Sequence, residues 1–318
     1  MGESDLRSKT RVRIGLGNLT QYQYICALKT FKAFFMVNFN GVVLDDEAVF
    51  LNEKNRGLRY GDAVFETLRA HAGKVLFWED HYLRLMASMR ILRMEIPMEF
   101  TMEFLEAKIL ETLEKNRVHQ KTARIRLTVF RKNGGLYTPK DRGVDYIIET
   151  SELENPFYLI DRERSYEVEL FKDHYIAPGL LSTIKSNNRA VNVLAGIYAE
   201  ENEYDNCLLL NTEKKVAEAL NGNLFLVKGG TIKTPPLSDG ALNGILRKKL
   251  IDIIGKTEDL TLEEASISPF ELQKADELFI TNVISGIIPV RKYRKKEYEI
   301  EVSKMLLGRL NAQVRLLG

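Results

Sequence analysis

The chain has 318 residues, 45% of them hydrophobic, with a net charge of +2. That length leaves room for one large domain or two ordinary ones around a sizeable core. The balanced charge gives no electrostatic case for nucleic acid or an anionic membrane as partner, and no apolar run reaches the roughly 18 residues of a membrane span. Two cysteines, Cys26 and Cys207, make no disulfide framework and no zinc-like cluster. The expectation is a cytoplasmic protein with no metal, no membrane and no nucleic acid.

Residues 1–35 open with Arg7, Lys9, Arg11 and Arg13, then a stretch interrupted by Gln21, Gln23, Lys29 and Lys32. A secretory signal needs an unbroken apolar segment there, so an extension is expected, with Met36 reading like a natural start. Val37–Phe39 and Val42–Leu44 flank Asn40-Gly41, a two-residue hairpin signal. Val75–Trp78 reads as a strand. Helical spacing of Leu83, Leu85, Met86, Met89 and Leu92 predicts a helix from Glu79 to about Arg93, and Phe104, Ile109 and Leu113 mark another from Thr101 to Asn116. Ala123–Phe130 alternates as a half-buried strand, and Tyr146–Thr150 is a further strand.

Composition shifts near Ser151–Pro156, a plausible linker. Beyond it, strands are expected at Tyr166–Phe171, Cys207–Asn211 and Asn223–Val227. Helices are expected at 188–202, Asn243–Gly255 and Pro269–Ala275, and Leu278–Val290 reads as strand and loop. There is no regular strand–helix alternation, which argues against a Rossmann sheet.

The most informative residues are Lys185, in Thr183-Ile184-Lys185-Ser186-Asn187-Asn188-Arg189, and Glu218, in Val216-Ala217-Glu218-Ala219-Leu220. A lysine amine condenses with an aldehyde cofactor, and a carboxylate holds a pyridine nitrogen protonated. Most lysines are simply solvated, and Glu218 also reads as a turn carboxylate. Yet a carboxylate among apolar neighbours needs a cationic partner. Phosphate needs helix-start amides and an arginine. Gly244 before a helix is a weak signal for the first, and Arg84 also reads as a surface arginine with a packed stem. His81 reads as a structural hydrogen-bonding residue. A strand bearing Arg124, Arg126 and Arg131 either presents a solvated face or binds an anion.

Four segments in order resemble the class IV aminotransferases, the pyridoxal phosphate enzymes of fold type IV. They are Leu58–Thr67, His81–Ser88, Ile184-Lys185, and Glu218 with Asn223-Leu224-Phe225. The resemblance runs from about Met36 to about Lys292. It implies an α+β, two-domain, D-amino acid aminotransferase-like fold: a smaller N-terminal α/β domain over 36–152, and a larger strand-rich domain over 153–318 that carries Lys185. Residues 1–35 lie outside it.

The implied cofactor is pyridoxal 5'-phosphate. Lys185 is implied as the Schiff-base lysine and proton-transfer base, Glu218 at the pyridine nitrogen, and Arg84, Gly244, Ile245, Leu246, Asn282, Val283 and Ile284 around the phosphate. Leu246 and Val283 stand where aminotransferases often offer threonine hydroxyls, so two side-chain donors are missing. Arg131 is the preferred substrate carboxylate ligand, with Arg126 as the branched-chain counterpart and Phe65 and Ile284 also against substrate. A homodimer is implied.

Within the family, the Lys185–Arg189 run, the apolar Leu246, and Thr281-Asn282 before Gly286–Val290 resemble aminodeoxychorismate lyases. The implied reaction forms 4-aminobenzoate and pyruvate. The alternative is a branched-chain or D-amino acid aminotransferase using 2-oxoglutarate. Outside the enzymes stands a cofactor-free binding protein on the same fold, against which an intact Lys185 and Glu218 argue.

Overall fold

A computed structural model describes residues 36–161 and 163–317, so the expected extension over 1–35, with Cys26, lies outside it. β1 (Met36–Phe39) and β2 (Val42–Asp45) form the hairpin, with Phe39 opposite Val42. Asn40 and Gly41 take φ of 51° and 85°, the two left-handed residues of a type I′ turn. α1 (Arg56–Tyr60) is one short turn capped by Asn55, whose side chain accepts from Leu58 N. β3 (Ala63–His71), β4 (Lys74–Val75), α2 (Trp78–Ile91), α3 (Met102–Lys115), β5 (Thr122–Arg131) and β6 (Val144–Leu153) follow. The six strands make one antiparallel sheet in the order β2-β1-β6-β5-β3-β4.

Strand alternation gives that sheet two different faces. Val64 and Leu68 of β3, with Ile125, Leu127 and Val129 of β5, pack on Leu85 and Met89 of α2 and Leu105, Ile109 and Leu113 of α3. Phe65, Thr67, Arg124 and Arg126, at the intervening positions, belong to the opposite face.

The second half continues with β7 (Glu167–Ile176), α4 (Ala190–Glu201), β8 (Asn206–Asn211), β9 (Val216–Ala219), β10 (Asn223–Lys228), β11 (Thr231–Thr234), α5 (Ile245–Gly255), β12 (Thr261–Glu264), α6 (Pro269–Leu272), β13 (Glu277–Asn282), β14 (Gly286–Val290), β15 (Lys292–Tyr293), β16 (Lys296–Glu297) and α7 (Glu301–Leu317). Two five-stranded sheets result, β16-β15-β7-β8-β9 and β12-β11-β10-β13-β14. They bury Val168, Leu208, Leu210, Leu226, Leu278 and Ile280 between them. α4 covers the first sheet through Ala195 and Ala199 on Phe171 and Leu209. α5 and α7 cover the second through Leu250, Ile254, Leu306 and Leu310 on Phe225 and Phe279.

α7 is an element the sequence reading left unassigned, although Leu306, Leu307, Leu310 and Val314 form a buried helical stripe. The buried Glu277 carboxylate accepts from Val302 N, Ser303 N and Ser303 Oγ, which satisfies the helix's first amides.

Candidate active site

Lys185 is held by backbone, not by a helix or strand of its own. Phe65 N donates to Lys185 O (2.8 Å), Asn187 N donates to Ala63 O (3.0 Å), and Ser186 forms a bridge with Val64. This short ladder pins the lysine segment to β3. Arg189 donates to Ser186 O and Ile184 O and stiffens the same loop. The Lys185 Nζ stands 4.7 Å from the centroid of the Phe65 ring, and the Arg126 guanidinium lies 3.9 Å from it. Burial, with the charges of Arg84 and Arg189, lowers the Lys185 amine from its usual value to about 7. An amine with that value is substantially neutral, and so nucleophilic, near neutral pH.

Behind β3, Glu66 binds two partners from α2. Arg84 donates through Nε to Oε1 (2.8 Å) and through Nη2 to Oε2. His81 Nδ1 lies 2.7 Å from Oε2. Burial alone would raise the Glu66 carboxyl, but the Arg84 charge and the bonds from His81 and Arg84 outweigh it and hold it at about 2. Burial lowers His81, so a neutral ring donating through Nδ1 fits the site. Arg84 also donates through Nη1 to Asn243 O (2.8 Å). Three of its five N–H groups are engaged, and two remain for a ligand.

At the other end, Glu218 sits in β9 opposite Leu209 and is 5% exposed. One carboxylate oxygen accepts from Leu242 N (2.9 Å). Burial raises this group, partly offset by that amide and by Arg189 and Lys185. A buried carboxylate short of a cation is suited to a protonated ring nitrogen.

Lys185, Arg84 and Glu218 open on one cavity of about 410 Å³. Gly244, Ile245, Leu246, Asn282, Val283, Ile284, Phe65 and Arg126 line it too, so the structure brings together every sequence-derived candidate except Arg131. Arg131 is a correction. It lies at an odd position of β5, on the helix-facing side, whereas Arg124 and Arg126 face the cavity. It is 5% exposed and donates to Asp62 Oδ2 and to Leu92 O and Arg93 O, past the end of α2. It closes that helix end and borders a separate cavity with Arg56 and Tyr137. Of the late-strand amides, Ile284 N is also taken, because Asn282 Oδ1 accepts from it and from Ser285 N.

Residues the sequence reading missed are Thr67, Asn192, Asn221, Gly222, Thr281 and Ser285, all of which line the cavity, and Arg124, which it named only with its strand, lines it too. Thr67 and Arg124 were within reach, since they share a strand face with Phe65 and Arg126 by period-two alternation. Asn221 reaches the cavity from the turn between β9 and β10, and Thr281 through its pairing with Asn223, a register that has no local signal.

The sequence matches the amino-transferase class IV family over residues 63–293. The chain belongs to the class IV aminotransferase family. A Methanocaldococcus jannaschii relative, provisionally named a branched-chain-amino-acid aminotransferase, is 34% identical over 80% of this chain and 86% of its own. The Vibrio harveyi aminodeoxychorismate lyase is 27% identical over 81% of this chain and 94% of its own. The branched-chain aminotransferase of Thermoproteus uzoniensis, solved with norvaline, superposes with a TM-score of 0.78 at 25% identity, covering 87% of this chain and 93% of that one. The fold is that of the fold type IV enzymes, a mixed α+β architecture.

This class IV chain is therefore a pyridoxal phosphate-dependent enzyme, and its residues fit the cofactor. Lys185 would supply the amine and Glu218 the carboxylate. Among the described residues no side chain caps the first turn of α5, and an uncapped helix start favours an anion. Arg84 adds its free donors beside it. The Thr281 hydroxyl is buried, and Thr281 lines the cavity; the hydroxyl has no partner among the described residues, as expected of a group awaiting a ligand.

Proposed function

We propose that this enzyme is a 4-amino-4-deoxychorismate lyase, releasing 4-aminobenzoate and pyruvate. The observation that carries the reading is the charge of the cavity wall. Arg84, Arg124, Arg126, Arg189 and Lys185 face Glu218 as the one carboxylate among the lining residues. With Arg84 at the cofactor phosphate and Glu218 at the ring, Arg124 and Arg126 are left for substrate. A substrate with two carboxylates matches them: aminodeoxychorismate carries two, whereas among the substrates of the transaminase alternative a branched-chain amino acid brings one and only 2-oxoglutarate brings two. Asn188-Arg189 after the lysine supports the same reading.

The residues divide the work. Arg126, held over the Phe65 ring, binds a substrate carboxylate by charge-assisted hydrogen bonds. Glu218 keeps a ring nitrogen protonated. When bound, the cofactor supplies an electron-accepting ring for charge developing on the substrate. Lys185 Nζ, lowered to about 7, takes the proton from the carbon that bears the amine. The bond from the neighbouring carbon to the pyruvate oxygen then breaks, the substrate ring becomes aromatic, and the proton on Lys185 is available to the departing enolpyruvate.

A second reading is transamination of branched-chain amino acids, favoured by the name of the Methanocaldococcus relative. It would use the same Lys185 and Glu218, and its product would be a keto acid in place of 4-aminobenzoate. The test is incubation with aminodeoxychorismate, measuring 4-aminobenzoate and pyruvate, alongside branched-chain and D-amino acids with 2-oxoglutarate. Rapid keto-acid formation with no 4-aminobenzoate overturns the lyase reading. A homodimer is part of the proposal and is checked by light scattering of the holoenzyme.

A further inference from the structure

Three consecutive residues connect the two ends of the cofactor site. Leu242 N donates to Glu218 Oε2 (2.9 Å), and Leu242 O accepts from Asn223 Nδ2 (2.8 Å). Asn243 N donates to Thr183 O (3.1 Å) in the lysine loop, and Asn243 O accepts from Arg84 Nη1 (2.8 Å). Gly244 N donates back to Leu242 O (2.8 Å), and Gly244 is the N-cap of α5, whose first amides open on the cavity. The segment is thus tied to the ring carboxylate, the lysine loop, the phosphate-side arginine and the helix start.

Among the side chains bonded to it, Asn223 is the one without charge. It opens β10, pairs across to Thr281 and is 4% exposed. Its amide oxygen also occupies the space beside Gly244, where an added Cβ would lie 2.0 Å from Oδ1. Asn223 therefore touches the segment twice, by a hydrogen bond at Leu242 and by close packing at Gly244. Gly244 has φ −73° and ψ 140°, a conformation open to any residue. Glycine is required there by this approach, not by backbone strain.

We propose that Asn223 is a positioning residue for the cofactor. Acting through Leu242–Gly244, it sets the spacing between the ring end at Glu218 and the phosphate end at Arg84 and the α5 amides. The inference rests on the cofactor site and holds whichever reaction the substrate undergoes. A residue that only supported the fold would weaken the apoenzyme and leave unchanged how much the phosphate adds to aldehyde binding.

The experiment titrates the apoenzyme with pyridoxal phosphate and with pyridoxal, following absorbance of the lysine-bound aldehyde. Asn223→Ala and the isosteric Asn223→Asp, which lacks the donor, should each weaken pyridoxal phosphate by about tenfold or more and pyridoxal by less than about threefold. Gly244→Ala should do the same alone, yet add less than about twofold in the Asn223→Ala background, where its clash partner is gone. Apoenzyme melting is recorded for each variant, and Asn223→Asp carries the comparison should Asn223→Ala not fold. Equal weakening of both aldehydes overturns the proposal. So does no weakening, or a Gly244→Ala factor that is the same in both backgrounds. Aminodeoxychorismate turnover plays no part in the readout, so failure of the lyase reading leaves this result interpretable.

Discussion

Glu66 on β3 and Arg84 on α2 meet through two parallel hydrogen bonds, Nε to Oε1 at 2.8 Å and Nη2 to Oε2 at 2.5 Å. The carboxylate is buried, so the fork is rigid, and it aims the arginine from behind the sheet. Glu66→Gln should destabilise the protein by about 3 kcal/mol near neutral pH, as loss of one partner of a buried pair does. The pH dependence follows from its low value. The folded carboxyl lies at about 2, below its ordinary 4.5, so its stabilisation is present above 4.5 and lost as pH falls towards 2. Urea midpoints should therefore drop more steeply between pH 5 and pH 3 in the wild type than in Glu66→Gln.

Lys185 is lowered too, but for an amine that favours the neutral form. Its amine is lowered from 10.5 to about 7, so the neutral form accumulates as pH rises through 7. Capture of pyridoxal by the apoenzyme should rise with pH and reach half its plateau rate near pH 7. A midpoint above 9, as for an ordinary lysine, would show that burial and the neighbouring arginines do not act on this amine.

Replacing Lys185 by alanine removes both the cofactor attachment and the base. Turnover should fall by about a thousandfold or more, and the absorbance band of the lysine-bound cofactor should vanish. Far-ultraviolet circular dichroism should stay unchanged, because the loop is held by backbone bonds to β3.

Arg126 and Arg131 should separate cleanly. Arg126→Ala should raise KM for the amino substrate by roughly thirtyfold, the loss of a hydrogen bond between charged groups, with little change in melting. Arg131→Ala should do the reverse, leaving KM within about twofold and lowering stability by about 2 kcal/mol, since Leu92 O and Arg93 O lose a buried donor while Asp62 keeps Arg56. Steady-state kinetics and thermal melts of the two variants check both halves.

How far the sequence carried varied with the range of the signal. The Asn40-Gly41 turn, the helix over α3 and the alternation of β5 are local patterns, and each was legible from a few neighbouring residues. Parity along β5 was legible too, and applied strictly it separates Arg131 from Arg126 without a structure. Gly244 at a helix start was legible, but the reason for a glycine there was not, because it lies in the approach of Asn223, a residue of another element. α7 shows the limit of resemblance, since it lies beyond the matching segments although its own apolar stripe is plain.

The sequence by itself determined the chemistry on offer: an amine at Lys185, carboxylates at Glu66 and Glu218, and arginines at 84, 124, 126 and 131, in an order that marks the family. Only the tertiary structure decided which of these share a cavity and in what state. Burial lowers the Lys185 amine and raises Glu218, while at Glu66 the bonds and charges of Arg84 and His81 overcome burial and leave the carboxylate ionised. Those shifts depend on which groups lose water together, and that is set by sheet pairing between residues far apart in the chain.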